Sequence, residues 1–126
     1  AENRAAMHGG WALAHRQIRH TLVRGYYHGW DLHPLQIPAR FAACYGFFLE
    51  VHAAAATRLR SYVASATAAT EDAGVVADVA TGQALLNIFI RGHACGAFDD
   101  ADVEAAGIRV ADLRRGSFAA LLAERT

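Results

Sequence analysis

Lysine is absent: all 12 basic residues are arginine, a bias that points to a GC-rich coding sequence more than to any particular function. Twelve acidic residues balance them, so the formal net charge is zero. No bulk field therefore draws the chain to nucleic acid or to anionic lipid. Long apolar runs are missing too. None reaches the ~18 residues that a bilayer span needs, and the first residues do not read as a signal peptide, so a cytoplasmic protein is expected. Cysteine is scarce. Cys44 and Cys95 sit in apolar helical patterns without CxxC spacing, and two buried free thiols in a reducing compartment are expected rather than a disulfide. There is no Walker loop, GxSxG, GxGxxG or HExxH. Seven histidines do not make a metal site by number alone. His8 and His15 are i, i+7, His15 and His20 diverge, and no Cys/His pair or dense carboxylate cluster accompanies them.

What is present is an alanine-rich chain of 126 residues, 54% hydrophobic and 19% charged, enough for one domain with a modest core. From about Arg4 to Arg24, Trp11, Ala14, Ile18 and Leu22 recur at spacings of three and four, which predicts a helix with one apolar face. Arg16, His20 and Arg24 form a separate cationic stripe on it. Gly25 is placed to stop the helix, while Gly9-Gly10 weakens its first turns by ~1 kcal/mol per glycine. Residues about 28–33, in an aromatic stretch flanked by glycine, suit a buried strand. Pro34 restricts His33 to extended geometry and ends that strand, and Pro38 suits the first turn of a long helix from Ile37 to Ala69. A helix of that length measures ~45 Å, more than one small domain needs, so a partner surface is expected for part of it.

Beyond it, Thr70 to Ala77 reads as a loop and Asp78 as the cap of a third helix, with Val79, Leu85, Leu86, Phe89 and Ile90 inward and Gly92 to Gly96 ending it. Asp99 with Asp102 forms a capping pair for a short fourth helix that ends at Gly107. A fifth is expected from about Ala111 to Glu124, with Leu113, Phe118, Leu121 and Leu122 inward. Trp11, Phe41, Phe48, Phe89 and Phe118 are read as core. The fold class is thus mainly α with a single strand. One buried strand leaves its own N–H and C=O groups without partners, so the other strands must come from an upstream segment or another chain. The start at Ala1-Glu2-Asn3-Arg4, without methionine, reads as a cut inside a larger protein, with a processed or engineered N-terminus as the alternative.

Gly29, His33, Pro34, Gln36 and Ile37, in that order and spacing, resemble a late segment of the HpcH/HpaI aldolase and citrate-lyase-β-like families. These families are built on the pyruvate/phosphoenolpyruvate-binding TIM barrel. Ala80 to Leu86 and Arg91 to Ala97 resemble the helical extension of an aldolase-like branch sometimes labelled phosphoenolpyruvate kinase. The resemblance implies that residues 1–69 are the C-terminal end of a (β/α)8 barrel, made of penultimate helix, last strand and long last helix. Residues 70–126 are then a helical extension. It implies a metal-dependent aldolase or lyase that makes or breaks a C–C bond through a pyruvate-like enolate, with a small oxo-acid substrate and a coenzyme A thioester as one form of it. Magnesium or another divalent ion would be held by Glu and Asp on barrel strands outside this chain, and a homo-oligomer is implied. The alternative is a non-catalytic helical interaction or oligomerisation module.

Asp31, His33 and Gln36 are the candidate pocket-rim residues, because a barrel carries its site at the C-terminal ends of its strands. Against that stand simpler roles: a ring hydrogen bond capping the turn for His33, a backbone cap for Asp31 and a loop bond for Gln36. The Arg16, His20, Arg24 stripe could take phosphate or the nucleotide end of coenzyme A, or stack nucleic acid with Tyr26, Tyr27 and Trp30; a solvated helix face is the simpler reading. Asp99, Asp100 and Asp102 fall where related acyl-CoA lyases carry an acidic lid, though capping accounts for them. No catalytic or metal-ligating residue is assigned within the chain.

Overall fold

The computed structural model describes residues 2–27, 29–69 and 79–125. The order is α1 (Glu2–Val23), a 3-10 turn (Pro34–Gln36), α2 (Ile37–Ala69), α3 (Val79–Ala94), α4 (Asp100–Ala105), α5 (Val110–Arg115) and α6 (Phe118–Ala123). Among the described residues there is no strand, and the chain is mainly α. The expected strand at about 28–33 is therefore not formed: residues 29–31 carry no regular structure, although His33 is extended at φ −149°, ψ 140°. The physical reason is the one that makes a lone strand untenable, since a ladder requires a second strand. His28, the expected loop from Thr70 to Ala77 and the expected cap Asp78 lie outside the described residues.

The chain divides into two compact units, Ala1–Glu50 and Val51–Thr126. The division falls inside α2.

In the first unit α1 ends as its sequence dictates, with Gly25 at φ +82° and its N–H bonded to Leu22 O. Trp11 Nε1 donates to Leu35 O at 2.6 Å, and Arg19 pairs with Glu50, which ties α1 to the turn and to α2. Leu22, Ala39, Ala43, Phe47 and Phe48 are buried, with Tyr27 stacked 6.3 Å from Phe48. Phe41, expected in the core, is 52% exposed, because it lies on the opposite side of α2 from Ala39 and Ala43. Trp11 is only half-buried.

The second unit is a small helical core. Leu59, Leu86, Phe89, Val103, Ile108, Phe118 and Leu121 are almost wholly buried. Helix α3 packs on α4, α5 and α6, and its glycines make this possible. A Cβ on Gly82 would run into the Phe118 ring, and one on Gly92 into the Phe98 ring. Gly92 thus lies within α3 instead of ending it. The stop falls at Gly96, φ +80°. Val79, expected inward, is exposed at the first turn. Asp99 Oδ1 accepts from Asp102 N–H (2.9 Å) and Asp102 Oδ2 from Asp99 N–H (3.0 Å), which caps α4 reciprocally. The single helix expected over 111–124 is two. Gly116 takes the left-handed conformation (φ 66°), and Ser117 Oγ accepts from Ala120 N–H to start α6. Cys44 and Cys95 are not joined in a disulfide, and both are half-buried rather than buried.

Candidate functional site

A cleft of about 710 Å³ lies within residues 1–50. One wall is α1, with Leu13, Arg16, Gln17, Ile18, His20 and Thr21; the other is the chain from Trp30 to Arg40. Its volume falls in the range of small-molecule sites. The second wall is set by local chemistry. The 3-10 turn that opens at Pro34 runs directly into the first turn of α2, and Arg40 in that turn meets Asp31. Arg40 Nε donates to both Asp31 carboxylate oxygens (2.7 and 2.8 Å) and Arg40 Nη2 to Trp30 O (3.2 Å). The guanidinium lies against Gly29, where a Cβ would stand 2.5 Å from Arg40 Nη1. A side chain at that position would displace the guanidinium from its present place.

Of the three rim candidates, Asp31 and Gln36 line the cleft and His33 does not. Asp31 serves Arg40, not the backbone of the turn. Gln36 Oε1 accepts from Leu32 N–H (2.7 Å) and His33 N–H (3.1 Å). His33 Nδ1 accepts from Leu35 N–H at 3.2 Å, which in the neutral ring leaves the proton on Nε2. These contacts hold residues 31–36 in one shape. Arg40 is the residue that the sequence did not single out; the signal was Pro34 and the helix start at Ile37 between it and Asp31.

Of the cationic stripe, Arg16 and His20 line the cleft and Arg24 does not. Arg24 is instead bonded to the His20 ring. His8 stacks 5.8 Å from Trp11. In the second unit, His93 Nε2 meets Asp100 Oδ1 at 2.9 Å, and His52, set edge-on against Phe89 and Phe98, bonds to Asp102 O at 3.1 Å. Among the described residues no group of three or more His, Cys, Asp or Glu could hold a metal ion. The donor set of these residues does not fit a divalent metal centre, and no chemical step of this chain is routed through one. No helix among the described residues is long and apolar enough to cross a membrane.

Perturbed titration occurs within residues 51–126. Asp112 is buried between α5 and the chain end. Burial pushes its carboxyl up, but hydrogen bonds from the Arg109 side chain and N–H, with the charges of Arg109 and Arg125, outweigh that and hold it below the usual carboxylate range. Hydrogen bonds to Arg115 and then Arg109 lower Glu124, and bonds to Asp112 and then Glu124 raise Arg109. Asp112 Oδ2 also accepts from Arg109 N–H at 2.9 Å, which caps α5. This is a structural network that joins three arginines, Arg109, Arg115 and Arg125, to two carboxylates, and none of these residues lines the cleft.

No curated protein and no solved structure matches the chain. A family model described as Domain of unknown function (DUF6986) matches residues 1–121, and the chain belongs to that family.

Proposed function

We propose that this chain is the C-terminal part of a cytoplasmic, metal-dependent aldolase or lyase that makes or breaks a C–C bond next to a pyruvate-like carbonyl. The observation that carries the proposal is the segment from Gly29 to Ile37. Its Gly-x-x-x-His-Pro-x-Gln-Ile spacing resembles the last strand and turn of the pyruvate-binding barrels. In the structure Trp30 and Leu32 are 88% and 86% exposed, while Asp31 between them turns in to Arg40. Every residue from Gly29 to Leu35 is exposed, so Leu32 offers an apolar side chain on which an upstream strand would pack. Barrel strands upstream would cover Leu32 and supply the acidic ligands that magnesium needs. The bound ion would stabilise the enolate. Within this chain, Arg40 fixes the Asp31 carboxylate at the rim, and Gln36 and the Leu35 N–H fix His33 with its proton on Nε2. These are positioning and substrate-facing roles for a short oxo-acid or its coenzyme A thioester.

The test compares two purified proteins, the 126-residue chain and the longer polypeptide that contains it, in magnesium-dependent cleavage of oxaloacetate and in pyruvate–aldehyde condensation. Activity is expected in the longer protein and none in the chain. Full activity in the chain, or none in the longer protein over a panel of short oxo-acids, overturns the proposal.

One observation favours a second reading, a helical module that assembles with a copy of itself. Ile37, Phe41 and Leu49 are exposed at four- and eight-residue spacing on α2, with Tyr45 half-buried between them. The stripe carries no charge, so two copies can meet without like-charge repulsion. A concentration-dependent dimer of the chain, lost on Phe41→Glu, supports it; a monomer at all concentrations removes it.

A further inference from the structure

We propose that the cleft in residues 1–50 binds a small anion carried on a planar ring system, about the size of a nucleoside monophosphate. The inference does not rest on the aldolase reading, because every group that it uses belongs to this chain.

It starts from which charges in the cleft are already spent. Four charged or titratable side chains face it: Arg16, His20, Asp31 and Arg40. Both Asp31 oxygens lie within 2.8 Å of Arg40 Nε, so these two neutralise each other. His20 is bonded to Arg24. Arg16 has no acidic partner among the described residues, and the cleft holds no further carboxylate. One guanidinium fork is left over. A fork with an unspent charge matches a carboxylate or phosphate in two parallel hydrogen bonds.

Gln36 adds a second donor. Its carbonyl oxygen is occupied by the Leu32 and His33 N–H groups, which leaves its amide N–H for the cleft. Trp30 supplies the other half of the recognition. Its ring is almost fully exposed at the rim, and its backbone is held by Arg40, so an open aromatic face stands on a fixed stem. Leu13 and Ile18 add apolar lining to the same cleft. The combination of an anion fork, an aromatic face and a volume of about 710 Å³ selects against both a bare inorganic ion and an uncharged ring.

Calorimetry and amide chemical-shift mapping on the full 126-residue chain test this, with adenosine 5′-monophosphate, adenosine and inorganic phosphate as probes. The monophosphate is expected to bind with a Kd below ~1 mM, about tenfold or more tighter than either half alone. Its shifts should fall on residues 13–21 and 30–40. Arg16→Ala and Trp30→Ala should each weaken it by about tenfold, and raising salt should weaken it further. Both side chains are exposed, so both variants should fold, with circular dichroism as the check. Adenosine binding as tightly as the monophosphate overturns the anion role, and phosphate binding as tightly overturns the ring role. Absence of saturation by the monophosphate, shifts elsewhere, or an unchanged Kd in Arg16→Ala overturns the site. Aldolase activity in a longer protein bears on none of these outcomes.

Discussion

Residues 1–50 and residues 51–126 handle apolar side chains in opposite ways. Among the described residues the second unit buries sixteen apolar side chains and exposes one large one, Val79. The first buries five and exposes nine, including Leu13, Trp30, Leu32, Leu35 and Phe41. The contrast does not come from composition, since both halves are rich in apolar residues. It comes from partners. In 51–126 α3 packs on α4, α5 and α6, and Gly82 and Gly92 let Phe118 and Phe98 approach the α3 backbone. In 1–50 there are one long helix, a turn and half of another, which cannot enclose their own apolar faces. A soluble chain rarely leaves so much apolar surface open unless something covers it.

The sharpest way to break the comparison is to delete one ring on each side. Phe118 is fully buried against Gly82 and Tyr62. Phe118→Ala should cost about 3–5 kcal/mol, enough to unfold a marginal unit. Phe41→Ala should change stability by less than about 0.5 kcal/mol, as surface substitutions do. Urea melts of the two variants check both. If the two cost the same, the units do not differ in packing.

A smaller effect separates the units by charge. Asp112 has its folded pKa lowered, so the folded state holds its proton less tightly than the unfolded state. Its contribution is then fully present above the unfolded value of ~3.9 and is lost as pH falls through the folded one. Glu124 acts in the same direction. Melts recorded between about pH 6 and pH 2 should therefore show 51–126 weakening below about pH 4. Asp112→Ala should remove part of that slope and cost about 2 kcal/mol at neutral pH, from a lost cap and lost charge-assisted bonds. A variant with an unchanged acid slope would show that Asp112 is not what the acid attacks.

What the sequence disclosed follows the same division. Helix positions were legible wherever a local signal decided them: Gly25 as a stop, Asp99 with Asp102 as a cap, and the span of α2 from Ile37 to Ala69. The break at Gly116-Ser117 carried an equally local signal, a left-handed glycine followed by an N-cap serine, but the apolar period running from Leu113 to Leu122 masked it. Burial was less legible, because periodicity reports which face is apolar and not whether anything covers it. Phe41 shows this, as does Val79. The strand near residue 30 failed for a related reason. Extended geometry at His33 is fixed by Pro34, whereas a strand depends on a second segment. In the cleft, Asp31 and Gln36 were visible through their place around His33-Pro34, and Arg40 was not, because its role needs the turn that runs from Pro34 into α2.

The smallest expected effect on this chain bears most directly on what covers residues 1–50. Leu32 is 86% exposed, so Leu32→Ser removes almost no buried area, and its unfolding midpoint should match the parent chain within about 0.5 kcal/mol. If upstream strands pack over Leu32, the same change in the longer polypeptide buries a hydroxyl where a Leu side chain was. It should then cost about 2 kcal/mol. Paired denaturation curves, chain and longer protein, with and without the substitution, give the difference directly. A null effect in both would mean that Leu32 stays open to water in the larger protein as well. The exposed face of 1–50 would then be a surface for a separate partner, and the strand would not be the closing element of a barrel.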